Sequence, residues 1–174
     1  MGFEHEDYSG DDGIRRFREI STDFDFGRNL PKATFPRDFV EAYVCSIDME
    51  VPNDPEYFRA PYRDGTERLM IDSILCPRYI HSTNAIIAES LYASPGSTIL
   101  PPGYYVFGDA YGSEGQHMLL VDLREDGDTY GSIHAWPRGH DPWGEGDNAR
   151  GLAPLAPDLG TFLQSLTTDS ASLE

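Results

Sequence analysis

"YYVFGDAYGSEGQHMLLVDLREDGDTYGSIHAWPRG", Tyr104 to Gly139, decides how this chain folds. YYVFGDA reads as a short strand. In QHMLLVDL, Leu119, Val121 and Leu123 share one face, and Met118, Leu120 and Asp122 share the other. Both faces are mostly apolar, which marks a strand covered on both sides and placed inside a sheet. REDGDT turns the chain through Asp126-Gly127, and YGSIHAW returns antiparallel. The stretch is a meander that the rest of the chain has to cover.

The covering elements are helical. TFPRDFVEAYVCSI offers Thr34 as a cap, Pro36 near the first turn, and Phe39, Val40, Tyr43, Val44 and Ile47 along one stripe. STNAIIAESLYASPG opens on Ser and Thr and stops at Pro-Gly, which predicts a second helix. In PDLGTFLQSLT, the spacing of Leu159, Phe162, Leu163 and Leu166 predicts a closing helix packed on the sheet. TERLMIDSIL reads as a further strand, whereas the proline-broken VPNDPEYFRAPYRDG and the stretch PRGHDPWGEGDNARG read as long loops. The expected fold is α+β, a mostly antiparallel sheet of about five to six strands flanked by helices. Residues 1–29 form an acidic arm with a short helix around Ile14 and Phe17, 30–168 the domain, and 169–174 a disordered tail.

The chain has 174 residues, 39% of them hydrophobic, enough for one core without disulfide or metal staples. Its 13 basic and 30 acidic side chains give a net charge of −17. Such a field repels phosphate backbones and anionic lipid, which argues against direct binding to nucleic acid or membrane. It attracts basic proteins, although acidity also serves solubility alone. Cys45 and Cys76 form no CxxC motif and read as buried free thiols of a reducing compartment. No apolar run approaches the ~20 residues that cross a bilayer, and no signal peptide leads the chain, so a cytoplasmic protein is expected.

Several motifs approach known chemistry without completing it. Asp122, Asp126 and Gly127 fall at EF-hand positions, but Arg124 takes a ligand position and Ile133 stands where the bidentate Glu belongs. YGSEG approaches a nucleophile elbow without its first glycine. His117 and His134 lie at opposite ends of one hairpin and would approach a zinc site only if the register set them across from each other, with no third ligand in place. Asp23-Phe24-Asp25 is a DxD pattern common in acidic chains. None of these reaches an enzyme assignment, and no cofactor or metal is expected. Trp136 ends the return strand as a core or a binding residue, and Trp143 sits in a glycine-rich acidic loop. Asp109, Glu114, Asp141, Glu145 and Asp147 around these aromatics would make one acidic, aromatic-bearing end suited to protein binding.

The order of the pieces resembles the SUKH superfamily of bacterial immunity proteins, grouped with a fungal cell-wall-synthesis regulator. FPRDFVEAYV (Phe35–Val44) is similar to that family's proline entry into its first helix. VFGDAYGSEGQHMLLVDL resembles its Gly-Asp segment leading into an apolar strand that ends in Asp. GSIHAW resembles the next strand, finishing on tryptophan, and DLGTFLQSL the closing helix. The resemblance spans roughly Leu30 to Leu166. SIDMEVPN replaces the family's frequent Asn-Gly-Gly, and the loop Val51–Gly65 and the acidic arm have no counterpart. The resemblance implies a domain without fixed catalytic residues that neutralises a cognate toxin, often a nuclease, with a non-catalytic scaffold of the cell-wall-regulator type as the alternative.

Overall fold

In the computed structural model the described residues are 11, 15, 34–47, 55–75, 79–80, 82–84, 103–113, 115–137 and 151–173, with the backbone alone described for 45–47. They comprise helix α1 (Arg37–Ile47), strands β1 (Tyr57–Tyr62), β2 (Gly65–Ile74), β3 (Tyr104–Gly112), β4 (Gly115–Asp122), β5 (Ile133–Pro137) and β6 (Ala153–Ala156), helix α2 (Leu159–Gln164), and a 3-10 helix (Ser170–Leu173). The strands form one antiparallel sheet in sequence order from β1 to β6. After α2 the chain returns to β1, where Tyr57 and Thr167 exchange backbone bonds of 2.8 and 3.1 Å. The sheet thereby nearly closes into a barrel, and the expected α+β fold with a mostly antiparallel sheet of about five to six strands is what the chain forms.

The meander is assembled as its alternation demands. β4 is central, and Leu119, Val121 and Leu123 join a large core with Phe58, Leu69, Phe107, Ile133 and Ala135. Both helices cover this face. Phe39 of α1 sits edge-on to Phe107 with ring centroids 5.4 Å apart, and Phe162 of α2 meets Phe58 at 5.1 Å. Such aromatic pairs contribute about 0.5–1.5 kcal/mol beyond their buried area. Asp158 caps α2 by accepting from the Thr161 amide at 2.7 Å. α1 starts one residue after Pro36; Thr34, expected as its cap, instead accepts the Tyr130 hydroxyl on its carbonyl at 2.6 Å. Gly131, at φ +88°, lets the β4–β5 turn pass close to the Pro36 ring.

The opposite face carries a second cluster of Tyr104, Val106, Met118, Leu120 and Trp136. A bulge between Val106 and Gly108 shifts the register, and β2 ends its pairing with β3 at Gly108. Beyond that end the buried Asn84 takes over. Its amide nitrogen donates to the Val106 carbonyl at 2.8 Å, and its oxygen accepts the Val106 N–H at 2.9 Å. One side chain thus stands in for a missing strand neighbour, satisfying backbone groups that would otherwise be buried unpaired.

Three readings change. EYFRAPYRDG, read as loop, is β1 and its hairpin turn, because Phe58, Ala60 and Tyr62 alternate inward. Pro61 is exposed on this edge strand, where a missing N–H costs least. Ala153–Ala156 adds a sixth strand. The expected disordered tail contains the 3-10 helix, held through Arg59, Arg68 and an Asp169 turn. Within the acidic arm only Asp11 and Arg15, both helical, are described; of the helix expected from residue 82, residues 82–84 are described and helical, as are 79–80 before it; of PRGHDPWGEGDNARG only Pro137, the end of β5, and Gly151 are described, and Cys76 lies outside the described residues.

Candidate functional site

Of the residues expected at the binding end, Asp109 and Trp136 are placed, whereas Glu114, Asp141, Trp143, Glu145 and Asp147 lie outside the described residues. Asp109 pairs with Met118, and Met118 with Trp136, so the register sets them in one row across β3, β4 and β5. Their exposures differ. Trp136 is 1% exposed and packs into the second cluster, so it reaches the row's environment as core and not as surface. Asp109 is half-buried, and its Oδ1 accepts from Gln116 Nε2 at 3.1 Å. Beside it Tyr111 is 44% exposed, one of two exposed large hydrophobic side chains among the described residues.

The best-built polar group lies at the β4–β5 turn. Asp122 is fully buried at the end of β4 and accepts from Arg124 Nε (2.9 Å), Arg124 Nη2 (2.5 Å), the Arg124 amide (3.0 Å) and Thr129 Oγ1 (2.6 Å). Burial pushes this carboxyl up, but the bonds from Arg124 and Thr129 together hold it below its ordinary value. The same bond raises the Arg124 guanidinium against its own burial. Arg124 Nη2 also donates to Tyr104 Oη at 2.8 Å, and the guanidinium lies 4.8 Å from the Tyr104 ring centre. Gly103, at φ +83°, is required here because a Cβ would fall 2.2 Å from Arg124 Cγ. The residue that spoiled the calcium reading therefore supplies the cation itself. The turn it fixes presents Glu125, Asp126 and Asp128 to solvent.

Tyr104 continues the network to His134, whose ring stands edge-on at 5.1 Å. His134 Nε2 and Ser132 Oγ lie 2.8 Å apart, whereas its buried Nδ1 has no partner. Burial lowers the imidazole from its ordinary value, with the Asp122 charge opposing and Arg124 assisting.

A second polar cluster ties two neighbouring hairpins. Buried His117 on β4 shares a 2.7 Å bond between its Nδ1 and Tyr62 Oη on β1. Its Nε2 lies 3.7 Å from Glu67 Oε1 on β2, a charge contact when the imidazole is protonated. Ser113 Oγ donates to the same Glu67 oxygen at 3.1 Å. The hydroxyl of the YGSEG motif is thus directed at a carboxylate and not at an imidazole, which is not the relay that activates a serine nucleophile. Nor can the two histidines share a zinc ion. His117 pairs with Pro137 and His134 with Leu120, so they project from opposite faces of the sheet. Among the described residues no three His, Cys, Asp or Glu side chains converge on a common point.

Sequence reasoning missed Asn84, Glu67 and Tyr62 as network members. Only their neighbours across the sheet reveal the roles, and spacing along the chain carries no such signal. No family model matches the chain, and neither curated proteins nor solved structures yield a match. No described helix is long and apolar enough to cross a membrane.

Proposed function

We propose that this protein is a bacterial immunity protein that binds a cognate toxin of basic character through an acidic surface and blocks it without chemistry of its own. The observation that supports this most is the net charge of −17 on an antiparallel sheet whose β4–β5 turn, its backbone held through Asp122, carries Glu125, Asp126 and Asp128 exposed. Holding the turn backbone through Arg124 and Asp122 lowers the ordering cost at the moment of binding, and the field of the carboxylates accelerates encounter with a cationic cleft. The order of motifs that resembles the SUKH superfamily points the same way.

The test is expression of the toxin encoded beside this chain's gene, with and without the chain. Survival that depends on the chain, together with a one-to-one complex whose affinity falls steeply from low to physiological salt, is the expected result. Equal killing with and without it, or a complex insensitive to salt, refutes the reading. Binding to many cellular proteins at similar weak affinity would favour a scaffold.

A further inference from the structure

On the exposed face of the first hairpin, Arg59 of β1 stands directly opposite Arg68 of β2. Their neighbours Phe58 and Leu69 point into the main core, so both guanidinium groups point away from it. Like charges directly across a strand pair destabilise it. In a chain with 30 acidic residues a carboxylate partner would be easy to supply, yet neither arginine forms an ion pair among the described residues. Instead Arg59 Nε donates to the Leu173 carbonyl at 2.5 Å, and Arg68 Nη1 to the Ser170 carbonyl at 3.3 Å. Both carbonyls belong to the 3-10 helix, which buries none of its side chains. Its polar attachments are the Thr167–Tyr57 bridge, the Asp169 turn and these two bonds, with Leu173 half-buried.

A neutral carbonyl is a weak match for a guanidinium. Each arginine spends one donor on the tail, and a doubly charged oxyanion between the two would take several, charge-assisted and bidentate. We propose that Arg59 and Arg68 form a binding site for a phosphate group of a small phosphorylated ligand, and that the C-terminal 3-10 helix is a strap that covers this site and is displaced when the ligand binds. The pair concentrates positive charge locally against the acidic remainder, so it admits a small anion while the overall field turns away a nucleic-acid strand.

The test is titration of the full chain with inorganic phosphate and pyrophosphate at constant ionic strength, followed by calorimetry and by hydrogen exchange of residues 168–173. Saturable pyrophosphate binding with Kd on the order of 1 mM or tighter is expected, with faster exchange in the strap as the site fills. Arg59→Gln and Arg68→Gln should each weaken binding at least about tenfold. Asp169→Ala, which loosens the strap without touching either arginine, should tighten it, because less of the protein starts in the covered state. Absence of saturable binding by the wild-type chain, or binding that both glutamine variants retain, overturns the site. Binding that leaves strap exchange unchanged overturns the strap.

Discussion

Replacing Arg124 with Met tests whether the β4–β5 turn rests on the pair it makes with Asp122. The substitution keeps most of the aliphatic stem over Gly103 but removes two of the four donors that reach the buried carboxylate, leaving the residue 124 amide and Thr129. Breaking a buried ion pair from one side costs about 3–5 kcal/mol. The Arg124 side chain is 47% exposed and half the donors remain, so the cost falls to or below the bottom of that range, about 2–3 kcal/mol. For a chain of this length that corresponds to a fall in melting temperature of roughly 5–10 °C. Replacing both partners together, Asp122→Leu with Arg124→Met, should cost less than the sum of the single changes, because no charge is left buried. Acid should bring Arg124→Met closer to the wild type. In the wild type the carboxyl is held below its ordinary value of 3.8, so its contribution is complete above that pH and is lost as pH falls through the folded value. In Arg124→Met burial pushes the same group upward, so the variant takes up a proton first and the gap to wild type narrows as pH drops toward 4. Urea midpoints by circular dichroism between pH 4 and 8 measure both effects, with Arg37→Met as the control, since Arg37 pairs with Glu41 on the open surface of α1. If Arg124→Met shifts the midpoint no more than Arg37→Met, or the gap to wild type is the same at every pH, the turn does not depend on this pair.

Two further outcomes follow from the polar clusters. Because burial lowers the His134 imidazole, the folded chain binds fewer protons there than the unfolded one, so stability should be flat above pH 6.5 and fall as pH drops below it. His134→Gln should lack that slope, so the difference between wild-type and variant urea midpoints should be constant above pH 6.5 and shrink below it, a window well above the one in which Asp122 titrates. Gly112→Ala should destabilise by about 1–3 kcal/mol, because its Cβ would fall 2.2 Å from Glu67 Oε1 and 2.5 Å from Leu69 Cδ2. Pairing it with Glu67→Ala, which vacates one of the two clashes, should recover part of the loss in the same denaturation assay.

How much of this was readable from the chain follows from what each signal encodes. QHMLLVDL was legible as a central strand because a residue's face is fixed by alternation alone, and DLGTFLQSL as a helix because Leu159 and Phe162 repeat at helical spacing. EYFRAPYRDG was hidden by Pro55 and Pro61, since proline signals an interruption along the chain while its real cost depends on whether the strand lies at an edge. The site was harder to read, because it is made of partners across the sheet. His117 and His134 could be judged as a pair only with the register known; the observed pairing sets Pro137, three residues past His134, opposite His117 and sends the two imidazoles to different faces. Arg124 shows the opposite case. Its place among acids at EF-hand spacing was visible, but what it does there depends on Asp122 being fully buried, a fact of packing. A buried carboxylate needs a cation, and a chain that supplies one from two residues away has committed its turn to a single shape. The acidic residues of that turn are therefore carried on a backbone held in one shape, which the proposed charge-steered binding would use and solubility alone would not need.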